Sequence, residues 1–230
     1  MDYIFPPQAP SSVPVKGESA QFPVNRVFCV GRNYAAHAAE MGGEVDREAP
    51  WYFMKSATAV CASGQTVPYP PGTSNFHYEM ELAVALGGDA FEISTDDAMA
   101  VVYGYACALD MTRRDRQQDG KDNRRPWDLG KDIENGAVIA PITKAADLDD
   151  LAGRRIQLAV NGDTKQDATL DDMVWSVAEI ISHLSRYYHL QAGDMILTGT
   201  PAGVGPVVAG DVMDGQIDGL DPVQHRLSDQ

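Results

Sequence analysis

Glu79 and Glu81 interrupt the apolar run at residues 77–86, and no other feature of the chain constrains its fold as strongly. The run is typical of a β-strand, in which alternate side chains point to the same face. Both carboxylates therefore lie side by side, with His77 next in line. Because neighbouring carboxylates repel and buried unpaired charge is costly, a hard divalent cation between them is one solution. The alternative is an edge strand with both Glu side chains in water.

Composition limits the size of the fold and the class of partner. The chain has 230 residues, 44% of them hydrophobic, which is enough for one large domain with a sizeable core. Its formal net charge of -15 argues against nucleic acid and anionic membranes as partners. The three cysteines are widely separated and lack metal-site spacing, so we expect reduced thiols and a cytoplasmic protein.

Strand patterns outnumber helix patterns, and the two do not alternate regularly, so the sequence predicts a mostly β, α+β fold. Residues 1–22 are rich in Pro and Ser and predict an N-terminal arm before one main domain at residues 23–230. Strands are predicted at residues 26–30, 51–55, 67–69, 77–86, 101–110, 156–160, 164–168 and 195–198. Asn161-Gly162 predicts a two-residue type I′ turn that joins the strands at 156–160 and 164–168 in a hairpin. Helices are predicted at residues 34–41 with Asn33 as the N-cap, 95–100, 112–118 and 176–188.

Asp110 ends the second long apolar run, at residues 101–110. A carboxylate in this position either caps a following helical turn or binds a ligand. Together with Glu79 and Glu81, it would form an oxygen-rich half-shell from two strands. Such a donor set suits Mg²⁺ or Mn²⁺ and leaves coordination positions for water and substrate, whereas zinc favours His and Cys.

His37 and Glu40 are three residues apart on a predicted helix and share one face. Glu40 would orient the imidazole, which could then take a proton from water. The alternative is an incidental pair on a surface helix.

Several cations could contact an anionic substrate or the acidic cluster. Lys55 and Lys131 either reach solvent or neutralise a carboxylate or an oxyanion. One or two arginines could clamp a substrate carboxylate through parallel hydrogen bonds. The candidates are Arg113, Arg114, Arg116, Arg124 and Arg125.

The glycine-rich loop at residues 199–205 lacks both the Lys-Ser/Thr end of a P-loop and the glycine order of a dinucleotide site. Nucleotide binding is therefore not expected. Backbone N–H groups and Thr200 could instead hold a substrate carboxylate.

Six segments, taken in order, resemble the fumarylacetoacetate hydrolase family. They are residues 30–37 with Glu40, 53–55, 78–83, 110–117, 130–131 and 193–205. The resemblance implies a rolled mixed β-sheet of the family's C-terminal-domain type with short peripheral helices. It also implies that residues 23–230 form the catalytic domain and that the protein is a homodimer.

The family resemblance implies a role for each matching position. The residues that resemble its metal ligands, for Mg²⁺ or Mn²⁺, are Glu79, Glu81 and Asp110. The residues that resemble its catalytic groups are the water-activating pair His37 and Glu40, on a lid-like segment, and Lys131, which faces the scissile carbonyl. The residues that resemble its substrate-binding groups are Arg114, Gln117, Thr200 and Lys55. Asp132 departs from the small hydroxyl residue often found after the lysine.

The resemblance further implies metal-dependent hydrolysis of a carbon–carbon bond in an acylpyruvate, a small 2-oxo acid. Residues 51–55 and 75–79 resemble the subgroup that converts fumarylpyruvate to fumarate and pyruvate in gentisate-type aromatic catabolism. Oxaloacetate decarboxylation, or isomerisation or hydration of a dienoic 2-oxo acid, are alternatives on the same site. A non-catalytic ligand-binding relative is a further alternative.

Overall fold

β-Strands dominate the computed structural model, which describes residues 2–44 and 47–229. The strands, in chain order, are β1 (Ser12–Pro14), β2 (Gln21–Pro23), β3 (Arg26–Val30), β4 (Tyr52–Lys55), β5 (Val60–Ala62), β6 (Thr66–Val67), β7 (Phe76–Tyr78), β8 (Met80–Leu86), β9 (Val102–Asp110), β10 (Thr112–Arg113), β11 (Ala137–Ile139), β12 (Thr143–Lys144), β13 (Arg155–Val160), β14 (Asp163–Thr169), β15 (Asp194–Leu197), β16 (Gly205–Val207), β17 (Val212–Ile217) and β18 (Val223–Leu227). The α-helices are α1 (Ala35–Glu40), α2 (Thr95–Ala98), α3 (Arg114–Asp122), α4 (Asp128–Lys131) and α5 (Val177–Leu184).

A mixed central sheet organises these elements, in the order β4-β3-β15-β8-β9-β11-β5, with β12 also paired to β9. The β15–β3 and β11–β5 pairs are parallel, and the others are antiparallel. A second sheet has the order β14-β13-β17-β18-β6, and a small one has the order β10-β7-β16. The central sheet curls into a half-barrel with few, short helices around it, which confirms the predicted rolled mixed sheet.

The central sheet is covered on both faces, which explains why β8 and β9 are apolar apart from Glu81 and Asp110. Met80, Leu82 and Val84 of β8 point into a core cluster shared with the second sheet and α5. The opposite face packs a second cluster with small side chains at its centre. These small residues are Ala83 and Ala85 of β8 and Ala106 and Ala108 of β9.

The β1–β2 hairpin, at residues 12–23, includes the second half of the expected N-terminal arm at residues 1–22. Val13 and Phe22 are buried in the second core cluster, and the backbone N–H of Lys16 donates to the carbonyl of Ile142 at 2.9 Å. This part of the chain therefore covers one face of the central sheet.

The predicted strand at residues 77–86 is divided at Glu79, which is a correction to the sequence pattern. β7 pairs with β10 and β16, whereas β8 pairs with β9 and β15. The chain passes from one sheet to the other at this residue, and the carbonyl of Glu79 accepts a hydrogen bond from the N–H of Asp110 at 2.9 Å. Because the two residues do not belong to one continuous strand, the alternation of side chains along a strand does not explain why the carboxylates of Glu79 and Glu81 lie close together.

The expected N-cap role of Asn33 is wrong, because α1 begins after Tyr34 and has no side-chain cap. Asn33 is instead fully buried. Its Nδ2 donates to the carbonyls of Trp175 at 2.9 Å and Thr198 at 2.8 Å, and its Oδ1 accepts from the N–H of Trp175 at 2.7 Å. The tertiary structure uses this amide to join three separate segments, which a local capping pattern cannot reveal.

Other local predictions are confirmed. The helix predicted at residues 176–188 is present as α5, which ends at Leu184 and begins after Ser176, its N-cap in a reciprocal capping box with Glu179. Asn161 and Gly162 both have positive φ, 53° and 87°, as the predicted two-residue turn between β13 and β14 requires. Within the described residues, no helix has both the length and the apolar character needed to cross a membrane.

His225 generates a prediction about acid stability. This β18 residue is fully buried, and neither ring nitrogen has a hydrogen-bond partner. Burial lowers its pKa to about 4. The unfolded chain takes up a proton near pH 6.5 that the native state takes up only near pH 4, so stability is lost as pH falls through this window.

We expect His225→Leu to reduce the loss of unfolding free energy between pH 7 and pH 4.5 by about 2 kcal/mol, measured by urea unfolding. His189→Leu, at an exposed histidine, is the control and should keep the wild-type acid dependence. If His225→Leu and the wild type lose the same unfolding free energy between pH 7 and pH 4.5, the interpretation of His225 as a buried, neutral histidine is contradicted.

Candidate metal centre and active-site cleft

Three carboxylates converge at one end of the face that carries the small alanines. Glu79, Glu81 and Asp110 are buried, and one oxygen from each lies within 4.8 Å of the others. Glu81 is paired with Ala108 across β8 and β9, so Asp110, two residues further along β9, points to the same face. Glu79 joins them from the break between the sheets. The structure therefore brings together all three predicted metal ligands.

The two alternative interpretations, an edge strand with Glu79 and Glu81 in water and a helix-capping role for Asp110, are both wrong. Glu79 and Glu81 are 4% and 2% exposed and flank the start of an inner strand, so they do not face water at a sheet edge. Asp110 caps no helix, because its carboxylate contacts two lysines instead.

The electrostatics of the cluster leave a place for a divalent ion. Burial, together with Asp110 and Glu79, raises the pKa of Glu81 well above its ordinary value. Among the described residues, no lysine or arginine forms an ion pair with Glu81, whose Oε2 accepts only the N–H of Gly199, at 2.7 Å. Asp110 Oδ1 also lacks a hydrogen bond. A bound divalent ion would compensate both, and an all-carboxylate donor set suits Mg²⁺ or Mn²⁺.

Lys131 lies between two of the carboxylates. Its Nζ donates to Glu79 Oε2, Asp110 Oδ2 and Thr112 Oγ1, each at 2.7 Å. Although burial opposes the charge, Asp110 and Glu79 raise the pKa of this lysine. An ammonium group has three protons, and all three are engaged here. Donation to a scissile carbonyl, the role that the family resemblance implies, therefore requires Lys131 to exchange one of these bonds.

Lys55 is fully enclosed behind the same cluster. Its Nζ donates to the carbonyls of Met111, at 3.0 Å, and of Lys131, and it lies 2.8 Å from Asp110 Oδ1 in an ion pair without hydrogen-bond geometry. The side chain does not line the cleft described below. Lys55 therefore stabilises the acidic cluster from the side away from the cleft. In this it differs from the other predicted substrate-binding residues, Arg114, Gln117 and Thr200, which line the cleft.

Asp132 connects the ends of β4 and α4. Its carboxylate accepts hydrogen bonds from the N–H of Ser56, at 2.8 Å, and from the Ser56 hydroxyl. Because Ser56 follows Lys55 and Asp132 follows Lys131, this contact fixes the backbone beside both lysines. The departure from the family pattern at Asp132 thus has a structural partner that the sequence did not indicate.

His37 and Glu40 form the predicted pair at the mouth of the site. His37 Nδ1 lies 3.1 Å from Glu40 Oε2, and since a carboxylate only accepts, Nδ1 carries the proton. His37 is 6% exposed, so the pair is not an incidental one on a surface helix. Burial lowers the pKa of His37 despite the opposing effect of Glu79, which favours a neutral ring with Nε2 available as a base. The N–H of Gly203 donates to Glu40 at 3.0 Å and joins α1 to the glycine-rich loop.

Arg114 links the carboxylate of Glu79 to Gln117 and His77. Its Nη2 donates to Glu79 Oε1 at 2.5 Å, its Nη1 donates to Gln117 Oε1 at 2.7 Å, and its Nε donates to His77 Nδ1 at 3.3 Å. Although burial opposes ionisation, Lys131 and Arg114 hold the pKa of Glu79 well below its usual range. Arg114 and Gln117 therefore lie in the shell around the acidic cluster, with His77 behind them.

Thr200 lines the opposite side of the site, where Gln166 Nε2 donates to its hydroxyl oxygen at 2.8 Å. The Gln166 amide is fully buried and also bonds the carbonyl of Pro201 and the N–H of Met80. The sequence offers no signal for this residue, because it lies in a polar strand that reads as solvent-exposed.

One cleft exposes part of this arrangement. It is lined by His37, Glu79, Glu81, Arg114, Lys131 and Thr200, among others. Aromatic rings form a further part of its wall, namely Trp51, Phe53 and Trp127. A buried acidic cluster of this kind can hold a divalent ion that would bind a chelating anion, and a neutral histidine beside it can transfer a proton.

We expect Mn²⁺ to stabilise the folded protein, by about 2.7 kcal/mol at a concentration 100 times its Kd. Glu81→Gln removes one ligand and should abolish most of this gain, measured as the shift in unfolding temperature between Mn²⁺ and EDTA. Asp163→Asn, at an exposed carboxylate, is the control and should respond to Mn²⁺ as the wild type does. An undiminished shift in Glu81→Gln would show that the ion binds elsewhere.

The chain is similar to proteins of known activity over most of its length. It is 52% identical, over 182 residues, to a fumarylpyruvate hydrolase from Ralstonia sp., covering 78% of this chain and 94% of that relative. It is 37% identical, over 205 residues, to an oxaloacetate tautomerase from Escherichia coli (strain K12), covering 89% of this chain and 93% of that relative.

Solved structures agree with this relationship. The chain matches the crystal structure of fumarylpyruvate hydrolase from Pseudomonas aeruginosa in complex with Mn²⁺ and pyruvate, with a TM-score of 0.95, 44% identity and 100% of both chains covered. The sequence profile described as fumarylacetoacetate (FAA) hydrolase C-terminal matches residues 26–228. The chain therefore belongs to the fumarylacetoacetate hydrolase family, as its motifs and its buried acidic cluster indicate.

Proposed function

We propose that this protein, an enzyme that hydrolyses carbon–carbon bonds, converts fumarylpyruvate to fumarate and pyruvate. The observation that carries the proposal is the convergence of three buried carboxylates beside the His37–Glu40 pair in one cleft. The 52% identity to a fumarylpyruvate hydrolase supports the choice of substrate.

In the proposed reaction, the protein's own residues hold the substrate and move its protons. His37 Nε2 takes a proton from water, and Glu40 holds the opposite ring nitrogen. The water attacks the 4-carbonyl of the 2,4-dioxo acid, and Lys131 donates to the oxyanion that forms there, a type of contact worth about 3 kcal/mol.

The remaining residues act at the 2-oxo acid end. A divalent ion held by the three carboxylates supplies Lewis-acid chemistry to this end of the substrate. Thr200, positioned by Gln166, donates a hydrogen bond from its hydroxyl group to the substrate carboxylate. The bond between C3 and C4 breaks, and protonation at C3 gives pyruvate, while the acyl part leaves as fumarate.

We assign the reaction to gentisate-type aromatic catabolism, which the choice of substrate implies. A cytoplasmic setting is supported by three free, buried cysteines in the described chain. The family resemblance supports a homodimer.

Action on oxaloacetate is the second candidate, because the chain is 37% identical to an oxaloacetate tautomerase. Oxaloacetate has the same 2-oxo acid end and forms the same type of enolate, so the acidic cluster alone does not separate the two substrates. Isomerisation of a dienoic 2-oxo acid has weaker support, because two solved relatives described as isomerases of this kind are 30% and 31% identical.

A substrate panel separates these activities. With Mn²⁺ or Mg²⁺ present, we expect fumarate and pyruvate in equal amounts from fumarylpyruvate, measured by chromatography of the products. Oxaloacetate and a dienoic 2-oxo acid should be turned over with a much lower kcat/KM. Faster turnover of oxaloacetate than of fumarylpyruvate would transfer the assignment to the second candidate.

We expect His37→Ala to lower kcat for fumarylpyruvate by about 10²- to 10⁴-fold, because the general base is lost. Mn²⁺ binding should persist, because His37 is not one of the three candidate metal ligands. His189→Ala, at an exposed histidine outside the cleft, serves as the control. Wild-type kcat in His37→Ala would refute its role in activating water.

A further inference from the structure

Two cations line the cleft without a carboxylate partner. Arg32 and Lys121 both border the same space as the acidic cluster. Within residues 2–44 and 47–229, neither lies within 4.0 Å of an acidic oxygen, whereas the three cations beside the cluster are all paired. Positive charge that the protein leaves uncompensated in a cleft attracts an anionic group of the ligand.

Among the cations at residues 113–125, Lys121 is the one best placed to bind an anionic group of the ligand. Arg113 donates to the carbonyl of Leu129, Arg116 donates to the carbonyl of Gly72, and neither lines the cleft. Arg114 does line it but is engaged by Glu79 and Gln117. Lys121 Nζ instead lies 5.1 Å from the ring centroid of Trp127, at the cleft wall.

Positive charge outweighs negative charge around Lys121. Burial lowers its pKa to about 8, and Arg114 and Arg32 add to the effect, while Glu79 opposes it. Three cations thus influence one another across this part of the cleft. A bound anion would relieve their repulsion and favour the charged lysine.

Arg32 is held in place by an unusual backbone. Its φ of 55° lies in the left-handed region, which costs a residue with a side chain about 1 kcal/mol or more. The buried Asn33 anchors the next position through its three backbone hydrogen bonds. The guanidinium packs against Gly43, where a Cβ would lie 2.8 Å from Nη1. These constraints fix the position of the Arg32 head group at the cleft.

Aromatic rings line the space between these cations and the acidic cluster. The ring centroids of Trp51 and Trp127 are 5.0 Å apart, and that of Phe53 lies 6.3 Å and 6.2 Å from them. Trp51 packs directly on Gly31, where a Cβ would lie 2.1 Å from the indole, so only glycine allows this wall. Flat aromatic surfaces favour a planar, conjugated chain over a bulky saturated one.

We propose that Arg32 and Lys121 bind the terminal carboxylate of an unsaturated, seven-carbon dicarboxylic 2-oxo acid whose conjugated chain lies against Trp51, Phe53 and Trp127. The subsite rests on the proposed function, because the 2-oxo acid end must be held at the acidic cluster. It distinguishes a diacid substrate from acylpyruvates that end in a methyl group.

A matched pair of unreactive ligands tests the subsite without turnover. With Mn²⁺ present, calorimetry compares 2-oxoheptanedioate with 2-oxoheptanoate, which differ only in the terminal carboxylate. We expect the wild type to bind the diacid about 10-fold or more tightly than the monoacid. Lys121→Met and Arg32→Gln should each lose most of this preference, and Lys121→Arg should retain it.

Lys144→Met, at a lysine outside the cleft, is the control and should keep the wild-type preference. An unchanged ratio of the two Kd values in both Lys121→Met and Arg32→Gln would overturn the subsite. So would a wild type that shows no preference for the diacid or binds neither ligand.

Turnover separates failure of the subsite from failure of the proposed function. The ratio of kcat/KM for fumarylpyruvate to that for acetylpyruvate should fall about 10-fold or more in Lys121→Met. An equal loss on both substrates overturns the subsite but leaves acylpyruvate hydrolysis in place. Release of pyruvate from neither substrate by the wild type overturns the proposed function itself.

Discussion

The repulsion among three buried carboxylates is the constraint on which the rest of this structure depends. Two like charges about 4 Å apart repel by on the order of 4 kcal/mol at an effective dielectric constant of about 20. Two lysines and one arginine offset this repulsion at Glu79 and Asp110. Glu81 is left without a cation among the described residues, and it is the place where a divalent ion contributes most.

The fold meets this constraint by placing the charges where two sheets meet. Small alanines on one face of β8 and β9 leave space that larger side chains would fill. The break at Glu79 turns that carboxylate toward the face from which Glu81 and Asp110 project. Asp132, through Ser56, then fixes the backbone beside both lysines. The acidic cluster is therefore built from strands and their ends, which hold side chains more rigidly than mobile loops do.

Much of this arrangement is readable in the sequence, because it follows from short-range rules. Apolar runs predicted the buried strands, the Asn161–Gly162 turn predicted a hairpin, and the spacing of His37 and Glu40 predicted a shared helical face. The family motifs located the residues of the cleft. All of these signals depend on residues that are neighbours along the chain or that form a familiar pattern.

The remaining features depend on contacts between distant segments, and no local pattern encodes them. The division of the strand at Glu79 follows from pairing with two different sheets. Asn33 looks like a helix cap but bonds backbone groups more than 140 positions away. Gln166 lies in a strand that reads as exposed, yet it positions Thr200. Lys131 was expected to face the substrate, but its ammonium group is held by two carboxylates and a hydroxyl.

Anomalous diffraction from crystals soaked in Mn²⁺ would locate the ion that the three carboxylates are proposed to bind. We expect one strong peak per chain, within coordination distance of an oxygen from each of Glu79, Glu81 and Asp110. A saturating soak that leaves this position empty, or places the ion away from these three oxygens, would contradict this proposal.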